Sequence, residues 1–195
     1  MYVPELLANL VSRNEHKLGE LRSVLSGWEI ELLVADTLPD ETGETYYDNA
    51  RAKARFGRML GEFDVWMLGE DSGLEVEGLA GGPGVRSARF AGAGEDAVEK
   101  LLRELEGRDG EARRARYVCE LVGLSPELEE FRGTGILAGR VAPERRGEGG
   151  FGYDPVFVPE GRSETVAELG EAWKAEHSHR AQAARALVAA VAEAE

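Results

Sequence analysis

The stretch from Val65 to Phe90 limits what this chain can fold into more than any other part of the sequence. Its apolar start, Val65 to Leu68, stops abruptly at Gly69-Glu70-Asp71-Ser72-Gly73. Two carboxylates and a hydroxyl therefore lie between glycines where a buried strand should end, and this pattern predicts a turn. Beyond it, Leu74 and Val76 alternate with glutamates, which predicts a second, half-exposed strand. An ordinary strand end would explain these residues without any chemistry.

Hydrophobic alternation and helical periodicity predict a mixed α/β chain. Besides the central stretch, the predicted strands are Leu6–Val11, Trp28–Val34, Arg116–Leu124 and Phe131–Val141. The predicted helices are Glu15–Leu25, one from Thr45 to Arg58 or Leu60, Glu95–Glu106, one from Thr165 past Lys174, and one from Ala181 to the end. Strands and helices alternate without a linker or a repeat, so we expect a single domain over residues 1–195.

The first helix begins with groups that suit an anion. Lys17 lies in its first turn, where backbone N–H groups are unpaired and the helix carries a partial positive charge. Ser12 and Glu15 fit a capping box, although Asn14 could cap the helix instead. A capped helix with a solvated lysine would give the same pattern.

The second helix combines polar groups on one face with acids in the loop before it. Asn49 and Lys53 are four residues apart and therefore share a face, while Asp40 and Glu41 precede the helix. A solvated helix face would again explain this pattern by itself.

A glycine-rich segment runs from Arg145 to Pro155. Its Gly147, Gly149 and Gly152 satisfy G-x-G-x-x-G, but the proline disfavours the helix that a dinucleotide fingerprint needs. A nicotinamide-dependent oxidoreductase is therefore not favoured. Two aromatic residues and an aspartate in this loop instead predict a pocket wall, where glycines let the backbone approach a flat ligand.

Composition excludes several classes of partner. The formal net charge of −14 argues against a broad nucleic-acid or anionic-membrane surface, while leaving room for one small phosphate ligand. The sequence shows neither a signal peptide nor an apolar run that would span a bilayer. A single cysteine, Cys119, excludes an internal disulfide and favours the cytoplasm as the location; we expect it to be a buried, apolar strand residue.

Five blocks, in the same order along nearly the whole chain, make the sequence resemble the inosine triphosphate pyrophosphatase family, the dITP/XTP pyrophosphatases. The blocks are Ser12-Arg13-Asn14-Glu15-His16-Lys17 with Glu20; Glu41-Thr42-Gly43-Glu44-Thr45 with Asn49-Ala50 and Lys53-Ala54; Asp71-Ser72-Gly73-Leu74 with Gly81-Gly82-Pro83-Gly84-Val85 and Ser87-Ala88-Arg89; Gly149-Gly150-Phe151-Gly152-Tyr153-Asp154-Pro155; and Ser178-His179-Arg180. The family commonly has paired aspartates before the serine; here Glu70 takes the first position and Asp71 matches the second.

The resemblance implies a fold, an activity and an assembly. The fold would be α/β, an elongated mixed β-sheet flanked by helices with two lobes around a central cleft, and the protein would be a homodimer. The activity would be Mg²⁺-dependent hydrolysis of deaminated purine nucleoside triphosphates (ITP, dITP, XTP) to the monophosphate and pyrophosphate. A non-catalytic purine nucleotide-binding sensor is the alternative, and the carboxylates near the phosphates argue against it.

The resemblance also implies roles for individual residues. Asp71 would be catalytic and would hold the metal together with Asp40 or Glu41, of which the position after Pro39 favours Asp40. Phosphates would be bound by Lys17, Lys53, Ser72 and the segment Ser12, Arg13, Asn14, Glu15 and His16. The base would stack on Phe151 within the loop that also contains Gly152, Tyr153 and Asp154. Lys174, His179 and Arg180 would approach its edge.

Overall fold

The computed structural model describes residues 6–60 and 63–194. Its strands are β1 (Leu6–Leu10), β2 (Trp28–Leu32), β3 (Trp66–Val76), β4 (Arg114–Leu124), β5 (Glu130–Val141) and β6 (Phe157–Pro159). Its α-helices are α1 (Glu15–Val24), α2 (Tyr46–Leu60), α3 (Ala97–Glu104), α4 (Val166–His177) and α5 (His179–Ala192), and short 3₁₀ turns cover Glu77–Leu79, Gly84–Arg89 and Gly110–Arg113.

The strands of the described residues form one six-stranded sheet in the order β2-β1-β3-β4-β5-β6. The sheet is mixed, because β1 pairs in parallel with β2 and β3 while β5 pairs antiparallel with β6. The predicted α/β fold, with a mixed sheet flanked by helices, is confirmed.

The prediction of a turn at residues 69–73 is wrong. Strand β3 runs without interruption from Trp66 to Val76, so the two predicted strands of the central stretch are one. The glycines that indicated a turn serve a different purpose, which Gly69 shows. A Cβ built on Gly69 would lie 1.9 Å from the backbone oxygen of Ala50 in α2, so glycine is required there for the helix to pack on the strand.

Contacts divide the chain into two compact units. The first contains residues 1–71, 119–135 and 179–195, and the second contains residues 72–118 and 136–178. Three of the four boundaries fall inside strands β3, β4 and β5, and the fourth falls between helices α4 and α5. No observation tests the expected single domain, which stays a prediction.

The first unit has apolar cores on both faces of its strands. On β3, Trp66 and Leu68 pack in a cluster with residues of α1 and α5, whereas Met67 packs in a cluster with Ala50 and Ala54 of α2. Successive side chains of a strand point to opposite faces, so α2 lies on the face opposite α1 and α5. Cys119 is fully buried in the first of these cores, as predicted.

The second unit has its own core, built around β3, β4 and helix α3. Leu74 and Val76 pack there with Val98 and Leu101 of α3 and with Leu105, the residue that caps its C-terminus. Reciprocal capping pairs, Thr45 with Asp48 and Thr165 with Glu168, stand at the starts of α2 and α4. Within the described residues, no helix is long and apolar enough to cross a membrane.

Candidate functional site

Strand β3 places its two adjacent carboxylates, Glu70 and Asp71, on opposite faces of the sheet. Trp66, Leu68 and Glu70 share the face that carries α1 and α5, while Met67, Gly69 and Asp71 share the face that carries α2. Glu70 is 1% exposed and Asp71 is 3% exposed, so each acid must find its partners within the fold. The two adjacent acids therefore belong to two different sets of side chains.

The partners of Asp71 come from helix α2. The amide nitrogen of Asn49 donates to Asp71 Oδ2 at 2.9 Å, and Lys53 Nζ lies 3.2 Å from Asp71 Oδ1. The shared helix face predicted for Asn49 and Lys53 is confirmed by these contacts. Burial raises the pKa of Asp71, although the charge of Lys53 and the hydrogen bond from Asn49 act in the opposite direction. A carboxylate with a raised pKa is a stronger base than a free one.

The ammonium of Lys53 contacts three oxygen atoms. Besides Asp71, it lies 2.6 Å from Glu41 Oε1 and donates to the backbone oxygen of Glu70 at 3.0 Å. Burial alone would lower the pKa of Lys53, but Asp71, Glu41 and Glu70 outweigh burial and raise it, so the side chain stays charged. Asp40, which the sequence position favours as a metal ligand, is exposed.

The structure does not show a complete protein cage for a metal ion. Within residues 6–60 and 63–194, no three His, Cys, Asp or Glu side chains form a metal-binding group. Mg²⁺ does not need such a cage, because it is commonly held by one or two carboxylates together with substrate phosphates and water. Glu41 and Asp71 supply two carboxylates that converge on one cationic point, the Lys53 ammonium. These hard oxygen donors fit Mg²⁺.

The partners of Glu70 come from helices α1 and α5. Lys17 Nζ lies 2.5 Å from Glu70 Oε2, and Arg180 Nε and Nη2 donate to Glu70 Oε1 at 3.1 and 3.0 Å. Arg180 also donates to the buried carboxylate of Glu20. Burial alone would raise the pKa of Glu70, but Lys17, Arg180 and Lys53 outweigh it and hold the pKa well below its usual range.

Sequence reasoning missed the connection through Glu20. The sequence pattern that could have pointed to Glu20 is its spacing from Lys17. The two residues are three apart on α1 and therefore share one helix face. Their shared link to Glu70 and Arg180 could not be deduced, because Arg180 is 160 residues away from Glu20 in the chain.

The start of α1 is capped by Asn14, which decides between the two alternatives left by the sequence. The Asn14 side chain accepts from the backbone nitrogens of His16 and Lys17 at 3.0 and 3.3 Å, and Ser12 Oγ accepts from the nitrogen of Asn14 at 3.1 Å. Arg13 donates to the backbone oxygen of Asp36, while Glu15 is exposed. Three N–H groups of the predicted phosphate segment thus have acceptors within the chain.

The glycine-rich loop of the second unit is organised by Asp154. Its Oδ2 accepts from the backbone nitrogen of Phe151 at 2.9 Å and from Lys174 Nζ at 2.8 Å, and its Oδ1 accepts from the hydroxyl of Tyr117 at 3.3 Å. The Lys174 ammonium also lies 4.7 Å from the centre of the Phe151 ring, a cation–π distance. Aspartate and lysine are both almost fully buried, so this pair fixes the loop.

The remaining predicted residues lie at several places in the fold. Gly152 has φ +61°, a conformation that glycine adopts easily, and no helix follows it, in agreement with the rejection of the dinucleotide motif. Tyr153 is buried and donates to the backbone oxygen of Ser87 at 2.9 Å. Ser72 is half-buried on β3, and His179 is buried at the first position of α5. Substrate roles for these residues stay predictions.

The first unit thus unites Lys17, Glu41, Lys53, Asp71 and Arg180, and the second unites Phe151, Asp154 and Lys174. The charge balance in the first unit carries chemical information. Its four carboxylates, Glu20, Glu41, Glu70 and Asp71, face three cations, Lys17, Lys53 and Arg180, so one negative charge is in excess. The positive charge of a divalent cation would therefore favour the binding of an anion there.

Comparison with known proteins gives a consistent result. The sequence model of the Ham1 family matches residues 8–190. The chain is 42% identical over 187 residues to a dITP/XTP pyrophosphatase of Methylacidiphilum infernorum, covering 92% of this chain and 91% of the relative. It is 42% identical over 185 residues to a dITP/XTP pyrophosphatase of Deinococcus radiodurans, covering 93% and 90%.

Solved structures agree with the sequence comparison. The Ham1 protein of Staphylococcus aureus superimposes with a TM-score of 0.83 at 32% identity, covering 97% of this chain and 100% of the other. A HAM1 protein of Coxiella burnetii superimposes with a TM-score of 0.81 at 34% identity, covering 96% and 99%.

Proposed function

Since the chain belongs to the Ham1 family, we propose that it hydrolyses deaminated purine nucleoside triphosphates (ITP, dITP, XTP) to the monophosphate and pyrophosphate. Relatives at about 40% identity over most of their length are named dITP/XTP pyrophosphatases. The observation that carries the proposal is the buried Asp71, with a raised pKa, next to an ammonium and a second carboxylate. This arrangement suits the hydrolysis of a phosphoanhydride, where catalysis depends on positioning and charge neutralisation.

In this proposal, Asp71 orients the attacking water and accepts its proton. Asn49 holds Asp71 Oδ2, which leaves the other oxygen directed to Lys53. Lys17 and Lys53 bind phosphate oxygens and oppose the charge that builds on the leaving pyrophosphate. Asp71 and Glu41 would hold Mg²⁺, which supplies further neutralisation of the phosphates.

For the base, we propose that Phe151 stacks on the purine and that Lys174 approaches its edge. Support comes from Asp154, which fixes both the Phe151 backbone and the Lys174 ammonium. Inosine and xanthosine carry a 6-keto acceptor where adenosine carries an amino donor, so cationic donors favour the former. A site that leaves a buried polar group unpaired against the wrong base discriminates strongly. His179 and Arg180 are proposed as further donors, by resemblance.

We also propose a single functional domain over residues 1–195, a homodimer, and a cytoplasmic location. The net charge of −14 supports the absence of nucleic-acid and membrane partners. Cys119, which is buried and forms no disulfide, supports a reducing compartment. Sedimentation of the purified protein at a monomer mass would contradict the homodimer.

The proposed activity is tested by measuring Mg²⁺-dependent release of pyrophosphate from ITP, XTP, GTP and ATP. We expect release from ITP and XTP, much less from ATP, and none from any of them after chelation of the metal. Tight ITP binding without release would instead favour the alternative, a nucleotide-binding sensor.

We predict that Glu41, rather than Asp40, is the second metal ligand. Glu41 Oε1 lies 2.6 Å from the same ammonium that contacts Asp71, whereas Asp40 is exposed. Glu41→Gln should therefore raise the Mg²⁺ concentration needed for half-maximal activity by roughly tenfold to a hundredfold, the equivalent of one or two charge-assisted contacts. The matched Asp40→Asn should change it by less than about twofold. Titration of activity with Mg²⁺ measures both, and the reverse order of effects would restore Asp40 as the ligand.

A further inference from the structure

One buried carboxylate, that of Glu70, holds two cations from two different helices. Its Oε2 contacts Lys17 Nζ of α1 at 2.5 Å, and its Oε1 accepts from Arg180 Nε and Nη2 of α5 at 3.1 and 3.0 Å. The third guanidinium nitrogen, Nη1, donates to Glu20, which is on α1 like Lys17. Together with the turn of α1 that links Lys17 to Glu20, these contacts form a closed ring that joins β3, α1 and α5.

The members of this ring differ in their access to solvent. The side chain of Glu70 is 0% exposed and that of Arg180 is 3% exposed, whereas the side chain of Lys17 is 16% exposed. Lys17 is therefore the member that a dissolved phosphate can reach. The Lys17 ammonium also contacts the buried carboxylate of Glu70, so the ammonium is already positioned before a ligand binds.

Stability alone is a poor explanation for such a ring. Removing two pairs of charges from water costs several kcal/mol per ion, and apolar side chains of similar volume often give equal or greater stability. Lys17, however, is proposed to bind phosphate, and Arg180 follows His179 at the start of the helix proposed to face the base. Fixing both cations on one rigid carboxylate would fix the distance between them.

We propose that Glu70 is a positioning residue for substrate recognition, which sets Lys17 for the phosphates and, by holding Arg180, sets the start of α5 with His179 for the base edge. The inference rests on the proposed function and deepens it. Asp71, on the opposite face of the same strand, performs chemistry, while Glu70 fixes the binding groups. Loss of Glu70 should thus affect KM and base preference, with a smaller effect on kcat.

The test is Glu70→Gln, which keeps the size but replaces one acceptor oxygen by an NH₂ donor. The amide can satisfy only one cation and turns a donor toward the other. We expect KM for ITP to rise by roughly tenfold to a hundredfold, because one or two charge-assisted contacts are lost, and the preference for ITP over ATP to fall with it. KM and preference both within twofold of wild type would overturn the proposal.

A double-mutant cycle separates positioning from general damage. If Glu70 acts through Lys17, Glu70→Gln should raise KM much less in a Lys17→Met background than in the wild type. The product of the two single fold-changes in KM should then exceed the fold-change of the double variant by at least about fivefold. Independent, additive effects on KM would contradict action through Lys17. Should Glu70→Gln be unfolded under the assay conditions, the same two readouts are taken at a lower temperature with a stabilising osmolyte such as TMAO. Glu70→Asp is not a substitute, because the family commonly has aspartate at this position.

Glu120→Gln provides the matched control. Glu120 lies in the same unit, is 6% exposed, and accepts from Arg132 Nε and Nη2 at 2.7 Å each. Glu120→Gln removes a buried carboxylate that holds an arginine, but this carboxylate contacts neither Lys17 nor Arg180. We expect KM and base preference to stay at wild-type values in this variant; equal changes in both variants would assign the Glu70 effect to stability.

A readout independent of turnover distinguishes this inference from the proposed function. The Nε–H signal of Arg180, observed by ¹⁵N NMR, should exchange slowly with water in the wild type and rapidly in Glu70→Gln. ITP affinity, measured by calorimetry, should fall in the same variant. If the wild type released no pyrophosphate, the proposed hydrolysis would fail, while these two measurements would still decide the role of Glu70.

Discussion

Asp71→Asn is expected to lower pyrophosphate release from ITP by about a thousandfold or more, because the asparagine can neither accept a proton from water nor contribute an anionic ligand to Mg²⁺. The amide is almost the same size as the carboxylate. Its one oxygen can still accept from Asn49 or from Lys53, which lie 2.9 and 3.2 Å from the Asp71 oxygens, while its NH₂ faces the other donor. A steady-state pyrophosphate assay with saturating Mg²⁺ measures the loss, and near-normal turnover would remove Asp71 from the centre of the mechanism.

The same substitution should cause no large loss of stability, because it relieves a destabilising ionisation that offsets the new contact between two donors. Burial raises the pKa of Asp71 in the folded state, so the folded protein binds this proton more tightly than the unfolded chain does. Ionised Asp71 therefore destabilises the fold, and this cost is present above the folded pKa and disappears as the pH falls below the unfolded value. Asp71→Asn removes the cost, so its stability relative to the wild type should grow as the pH rises from 4 to 7.

Urea denaturation at several pH values, in the presence of a chelator, tests this stability claim. We expect no large loss in the free energy of unfolding of Asp71→Asn relative to the wild type at pH 7. Retained stability together with a loss of turnover is the pattern of a functional residue that the fold tolerates at a cost. A large loss of stability at pH 7 would mean that Asp71 is structural.

Gly69→Ala is expected to cost about 3 kcal/mol or more, since its new Cβ would meet the backbone of helix α2. The Cβ position lies 1.9 Å from the oxygen of Ala50 and 2.6 Å from the nitrogen of Ala54. Backbone atoms cannot rotate away as a side chain does, so α2 would have to move from β3. That movement would carry Asn49 and Lys53 away from Asp71, and activity should fall together with stability.

Gly123→Ala is the control for this prediction. Gly123 is also a buried strand glycine of the first unit, but its Cβ would lie 3.4 Å from its nearest neighbours, Leu187 and Trp66, at the edge of ordinary contact. We expect a change within about 1 kcal/mol, which scanning calorimetry resolves as a few degrees in Tm. Equal losses in the two variants would show that the approach of α2 is not the reason for glycine at position 69.

The sequence by itself determined most of the element order. Helix α2 was predicted to begin near Thr45 and end at Arg58 or Leu60, and it runs from Tyr46 to Leu60. Local rules suffice there, because a capping pair and i, i+4 spacing act between residues that are close in the chain. The ordered blocks also identified the family, and the resemblance predicted that Lys53 and Asp71 belong to the same site.

Only the tertiary structure decided how β3 is used. Glycines at 69 and 73 indicate a turn when they are judged locally, but Gly69 is required by a helix that packs across the strand. Once the strand is continuous, its alternation places Glu70 and Asp71 on opposite faces. Their roles then depend on partners such as Arg180, 110 residues from Glu70, and no local pattern specifies contacts over that separation. Packing, rather than propensity, gave the two adjacent acids different partners.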